Sequence, residues 1–325
     1  MESPNSFEEF VKNIELGILR AELTSNDRCY RKKFIDFHNM KEFIYHYTDL
    51  SGLHGILENK GFWLSEAIFL NDSEELYNGK NIAVSLINRL IEKKRYTKFR
   101  HILEGVIENL NKSQFIDHYV CSFSMEPDNL EQWRAYAKNG TGVCIGFNIK
   151  QSTRYPHFPN YNIWQYAKVI YEDESKLWIL HSIIFKYLYE FNKDLKNNPS
   201  YIENESYINC LSFSLKNKFV FFKNKAFHTE REVRLVYNMG DPLRLFNKKY
   251  YRNGNNVLVP YICTYDTQLK DSSGTKLEVD LLPVSEIIVG PTANQSSTIE
   301  SIKYFLKDIG YSPEIVKASD VPYRG

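Results

Sequence analysis

"FIYHYTDLSGLHGILENKGFWLS", residues 43–65, reads as strand, helix and strand in quick succession. FIYHYT is aromatic and β-branched and stops at Asp49, as a strand does. Leu50, Leu53, Ile56 and Leu57 then form one face of a short helix, with Gly61 as a left-handed terminator before FWLS opens the next strand. Side chains alternate along a strand, so His46 and Thr48 project from one face and Tyr45 and Tyr47 from the other. A histidine inside such a run is either a hydrogen-bonded core residue or part of a pocket. The helix start at residues 49–52 favours the pocket, because its amides suit anionic or ribose oxygens.

Outward from this stretch, strands and helices follow one another without a regular βαβ period. Upstream, FEEFVKNIELGILRAEL has apolar residues at helical spacing behind a cap at Ser6 or Asn5, which makes residues 1–42 an N-terminal helical extension. Downstream, residues 72–112 are mostly helical, with acidic starts and basic ends that suit the helix dipole. HYVCSFS, GVCIGFNI and QYAKVIYE read as strands, with the capped helix DNLEQWRAYAKNG between the first two. Residues 172–218 form a helical insertion. KFVFFK, REVRLVYN, NNVLVPYICTY, KLEVDLLP and EIIVG supply further strands, and NQSSTIESIKYFLKDIG is a last helix before EIVKA. The pattern predicts an α+β fold around a mixed, mainly antiparallel sheet, with residues 43–325 as a single domain.

Composition sets the class. The 325 residues are 43% hydrophobic and 15% aromatic, enough for a packed core. Basic and acidic residues nearly balance at 41 and 40, so no global field draws the chain to nucleic acid or an anionic membrane. Five widely spaced cysteines without a CxxC pair read as core thiols of a cytoplasmic protein. No apolar window is long enough to span a membrane, and the N-terminus lacks a secretory pattern.

The chain has no glycine-rich phosphate loop, no dinucleotide fingerprint, no HExxH and no GxSxG, which leaves P-loop phosphoryl transfer and zinc hydrolysis without support. What remains is polar residues set in apolar strands and helices. In HTEREVRLVYN, Glu230, Glu232 and Arg234 alternate with Arg231, Val233 and Leu235 and are expected on one strand face. That face is either solvated, with Glu232 and Arg234 as a surface pair, or central, where an acid needs a partner or a task. On EQWRAYAKNG, Trp133 and Tyr136 are three apart and expected to pack inward, whereas Arg134 has no packing role and is a ligand-binding candidate.

These residues carry a resemblance. YHYTDLSGLHGILENKGFWLSEAIFLND, VCSFSMEPDNLEQWRAYAKNGTGVCIGF, EREVRLV and the ending from VSEIIVGP to SDVPYRG resemble the bacterial family catalogued as domain of unknown function 2971, over roughly residues 43–325. More distantly, an early strand histidine, a short helix with a glycine-aromatic step and a late strand glutamate are similar to the His-Tyr-Glu layout of ADP-ribosyltransferases. That likeness implies an ADP-ribosyltransferase-like sheet that takes NAD as substrate and needs no metal. It assigns His46 to the adenosine ribose and Glu232 or Glu230 to catalysis at the nicotinamide ribose. Tyr47, Thr48, Trp63, Arg134, Tyr136 and Arg234 complete the ligand-binding set, with no single aromatic fixed as the stacking partner among Trp63, Phe62, Phe69 and Tyr77. The implied activity is ADP-ribosyl transfer to a macromolecular acceptor or NAD hydrolysis, as in a toxin or phage-defence effector. Two alternatives stand beside it: a non-catalytic nucleotide-sensing or protein-interaction module, and a metal-dependent nuclease-like effector using Glu230, Glu232 and Asp72.

Overall fold

Residues 43–65 fold as their pattern dictates: β1 (Phe43–Thr48), α1 (Leu50–Glu58) and β2 (Trp63–Glu66). The structure, a computed structural model, describes residues 42–69, 73–112, 118–149, 165–197, 199, 202–238, 248–254, 256–266, 281–292 and 294–322. The N-terminal helix, the KLEV part of KLEVDLLP, Asp72 and Cys29 lie outside the described residues. Leu53, Ile56 and Leu57 are buried as the helical spacing requires, whereas Leu50 is exposed. The left-handed residue that ends α1 is Lys60, at φ 53°, rather than Gly61. Gly61 serves a different purpose, since a Cβ there would come within 2.5 Å of the Thr264 hydroxyl.

Contacts divide the chain into two compact units. The described residues of the first come from 71–116 and 170–225. They form α2 (Ser73–Ile91), α3 (Arg100–Lys112), α5 (Asp173–Asn197) and α6 (Asn204–Phe219), so the insertion after residue 172 joins the earlier helices in one helical body. Its core holds Leu86, Leu90, Phe99, Leu103, Ile184, Leu188 and Leu215, and a hydrogen bond of 3.2 Å links the buried Tyr96 hydroxyl to His181 Nε2. KFVFFK is not a strand as the sequence suggested. Its first residues finish α6, and only an isolated bridge from Phe222 to Ile170 follows. A short apolar run does not by itself distinguish a buried helix end from a strand.

The second unit, residues 40–70, 117–169 and 226–325, is built on the sheet. Ten strands occur among the described residues: β1, β2, β3 (His118–Ser124), β4 (Val143–Asn148), β5 (Gln165–Lys168), β6 (Glu232–Asn238), β7 (Tyr250–Asn253), β8 (Leu258–Cys263), β9 (Val284–Val289) and β10 (Val316–Ala318). The main path runs β10-β9-β4-β1-β3-β2-β8-β7, while β6 pairs with β3 and β5. The pairings are antiparallel except β10 with β9. The α+β class and the mainly antiparallel mixed sheet therefore hold. Edge strand β7 was not anticipated, since YYRN is short and carries no apolar alternation.

β3 organises the sheet. One of its edges pairs with β6 from His118↔Asn238 to Ser124↔Glu232. The other is divided, with β1 meeting it at Tyr45↔Ser124 and β2 at Ser65↔Val120 and Glu66↔Tyr119. Register then sorts side chains to two faces. Ile44, Leu64, Tyr119, Cys121, Phe123, Ile145, Phe147, Val233, Leu235 and Ile287 line the apolar face, in one core with Leu53, Ile56 and Leu57 of α1 and Ile302 and Leu306 of α7 (Gln295–Asp308). The opposite face carries Tyr45, Tyr47, Ser122, Ser124, Glu232 and Arg234. Part of it is covered by α4 (Leu130–Tyr136), through Trp133 and Ala137 packed on Tyr45, Tyr47 and Cys144.

Candidate functional site

The segments singled out in the sequence meet on the polar face of the second unit. Tyr45 pairs with Ser124 on one side of β3, and Glu232 pairs with Ser124 on the other. The Ser124 hydroxyl donates to the Glu230 carbonyl at 2.7 Å and accepts the Glu126 amide at 3.1 Å, while the Met125 amide donates to the Arg231 carbonyl at 3.0 Å. Arg231 also donates to the Glu126 carboxylate at 2.5 Å. Arg231 stands in the left-handed region at φ 43°, the bend between the 3-10 turn Lys225–Glu230 and β6. That bend corrects the expected alternation: Glu230 precedes the strand, and only Glu232 and Arg234 share the strand face.

Glu232 and Arg234 are each 5% exposed, so this is a buried pair rather than a surface one. The guanidinium grips the carboxylate with both arms, Nε to Oε1 at 2.7 Å and Nη2 to Oε2 at 3.0 Å. Glu230 is more accessible and accepts a hydrogen bond of 3.1 Å from the Tyr136 hydroxyl. Tyr136 was expected to pack inward with Trp133, yet it is 44% exposed, while Trp133 is fully buried and Arg134 is exposed.

The neighbouring polar groups hold this arrangement. The Tyr47 hydroxyl donates to the Glu126 carbonyl and accepts the Asn129 amide, both at 2.9 Å, and its ring meets Trp133 edge-on at 5.0 Å. Tyr47 therefore pins the loop that enters α4. Asp128 receives the Trp133 indole N–H at 2.8 Å, the Asp320 amide at 2.8 Å and the Ser319 hydroxyl, which ties the SDVP segment to the same loop. Sequence reasoning passed over Asp128; its position two residues before the α4 first turn is the only local signal it offers. Tyr45 lies along β4 and donates to Glu286 at 3.1 Å, and Lys317 pairs with the other Glu286 oxygen at 2.5 Å. Burial and then the Glu286 charge push the Tyr45 phenol up. Gly146 makes room for this reach, since a Cβ there would approach Glu286 Cγ at 2.8 Å and the Tyr45 ring at 3.0 Å.

His46 is not part of this face. It follows Tyr45 by one residue, so it points to the apolar side, where its ring lies 5.5 Å from Phe123 and 6.4 Å from Phe62. Nδ1–H donates to the Ser122 carbonyl at 2.9 Å, a group in the interval where β1 leaves the edge of β3 and β2 has yet to take it up. The structure thus does not bring His46 and Glu232 together. Thr48 shares the His46 side, and the Gly52 amide of α1 is taken by the protein itself: the Asp49 carboxylate accepts it at 2.8 Å, together with the Ser51 hydroxyl at 2.5 Å. Although burial opposes it, the Lys138 ammonium at 2.8 Å and these donors hold the Asp49 carboxyl at about 2.

Burial lowers the His46 pKa below its ordinary 6.5 despite the Ser122 bond. The unfolded chain then binds more protons than the folded one as pH falls from 6.5 toward the folded value, so His46 costs stability in that window and none above it. Urea titrations should show wild-type stability falling below pH 6.5 by an increment that His46→Gln lacks, with a slope of at most about 1.4 kcal/mol per pH unit. Equal slopes in both proteins would remove His46 from this role.

Trp63 does belong to the polar side: it is two residues from Ser65, which opposes Val120 and through it Val236, two positions from Arg234. It is 47% exposed. Among the described residues, no three His, Cys, Asp or Glu side chains gather as a metal-ion site, and no helix is long and apolar enough to cross a membrane. Cys121, Cys144, Cys210 and Cys263 are free thiols.

A family model described as Protein of unknown function (DUF2971) matches residues 132–235, from α4 through most of β6. Over these residues the chain is similar to that family. The matched segment contains Trp133, Arg134, Tyr136, Glu230, Glu232 and Arg234, whereas the motif likeness also takes in β1, β2 and the C-terminal strands. No curated protein and no solved structure matches the chain. The matched segment thus contributes Glu230, Glu232 and Arg234, while Tyr47 of β1 and Ser319 and Asp320 of the SDVP segment hold the loop that enters α4.

Proposed function

We propose that the polar sheet face of the second unit binds NAD or a closely related nucleotide and cleaves its N-glycosidic bond to nicotinamide, passing ADP-ribose to a macromolecule or to water. The observation that carries this reading is the convergence of separated motifs on an accessible carboxylate, Glu230, fixed by Ser124 through its carbonyl and by Tyr136 through its side chain. Loss of nicotinamide develops positive charge on the ribose, and a fixed carboxylate stabilises that oxocarbenium-like state. Glu230 takes this role. Glu232, closed in its fork with Arg234, positions the start of β6 beneath it. His46 has no ligand role in this scheme and Trp63 provides the stacking surface.

The closed Glu232–Arg234 fork also favours a second reading, a nucleotide-binding module without turnover. The deciding experiment is nicotinamide release from NAD by the full chain, with and without cell lysate as a source of acceptor, beside calorimetric titration of NAD. Release supports the enzyme; saturable binding without release supports the module; neither binding nor release in folded protein overturns both.

A further inference from the structure

We infer that Trp63 and Arg252 form a nucleotide subsite on the β2-β8-β7 part of the polar face, the indole taking a planar base and the guanidinium its phosphate. The inference rests on the nucleotide-binding reading above and names the group that holds phosphate in a chain without a glycine-rich loop.

The indole is a backed platform. Its ring centroid lies 4.6 Å from that of Tyr261 at an interplanar angle of 31°, and Tyr261 lies 5.5 Å from Tyr250 at 26°. The Lys248 ammonium closes the row, 4.4 Å from the Tyr250 centroid. Trp63 Nε1–H donates to the Tyr265 hydroxyl at 3.1 Å, which fixes the ring rotation. Despite these contacts Trp63 keeps nearly half its surface open. An exposed indole held this firmly loses little rotamer freedom when a base stacks on it.

Arg252 stands at the other end of a short span. From β7 it reaches across β8 to the Ser65 hydroxyl on β2, with Nη2 at 3.0 Å and Nε at 3.3 Å. A neutral hydroxyl orients the guanidinium without neutralising it, and donors remain for a ligand. Arg234 and Arg231 each have a glutamate partner, whereas among the described residues no carboxylate pairs with Arg252. Asp266, the acid nearby, accepts the Tyr250 hydroxyl at 2.5 Å. Ser65 and Trp63 are two residues apart on one strand face, roughly 7 Å, a separation that one ribose bridges between a base and its 5′-phosphate. Planar ring, fixed cation and ribose-length spacing together describe a nucleotide rather than a free anion or an apolar ring.

Calorimetric titration of the full chain with adenosine, AMP and ADP tests this. Wild type should bind ADP about tenfold or more tightly than adenosine, as a charge-assisted contact supplies. Arg252→Gln should bring ADP down to the adenosine level and leave adenosine unchanged, and Trp63→Ala should weaken both by about tenfold or more. If Arg252→Gln does not melt cooperatively, Arg252→Lys replaces it, with a reduced preference for ADP expected. No ADP binding by wild type, or an unchanged ADP-to-adenosine ratio in the folded variant, overturns the subsite. The readout is independent of catalysis: the expected pattern without nicotinamide release would remove the enzymatic reading and keep the subsite, and release with an unchanged ratio would do the reverse.

Discussion

Arg234→Ala is expected to be the most destabilising single change in the sheet unit, by about 3–5 kcal/mol in urea unfolding, because it leaves the buried Glu232 carboxylate without its two-armed donor. Both side chains are almost entirely enclosed, so water cannot replace the lost hydrogen bonds cheaply. Glu232→Ala should cost a comparable amount for the complementary reason. The double variant Glu232→Leu with Arg234→Met should recover much of the loss, since taking away both charges removes the desolvation cost along with the attraction. Single losses below 1 kcal/mol would show that the pair is not enclosed in solution. Loss in the double variant equal to the sum of the two singles would show that the residues act separately.

The same pair shows what the sequence could and could not convey. Period-two alternation correctly separated His46 from Tyr45 and joined Glu232 to Arg234. It could not say which face of β1 lies beside which face of β6, because β3 stands between them and the relation depends on two registers, Tyr45↔Ser124 and Ser124↔Glu232. Shifting either register by one residue would have put His46 with the carboxylates. The alternation also failed at Glu230, where Arg231 adopts a positive φ without a glycine or asparagine to announce it. Long helices and the β3-β6 ladder were legible because many residues repeat one signal. Asp128 and Arg252 were not, since each acts through partners distant in sequence: Ser319 and Asp320 in one case, Ser65 in the other.

Burial likewise divides the two glutamates by what each substitution should do. Glu230→Gln keeps an oxygen for the Tyr136 hydroxyl and leaves the Glu230 carbonyl on Ser124 untouched, so the fold should be intact. What it removes is the negative charge. If that charge stabilises the ribosyl cation, nicotinamide release should fall by about 10²–10³ in kcat, with KM for NAD changed little, because the interaction strengthens only in the transition state. Glu232→Gln should behave differently: lower thermal stability from the weakened fork, and an activity loss that follows the folded fraction. A Glu230→Gln protein with wild-type turnover would remove Glu230 from catalysis. If Glu232→Gln, fully folded, were the inactive variant instead, the fork would have to open during the reaction, and the carboxylate it releases would be the one that meets the substrate.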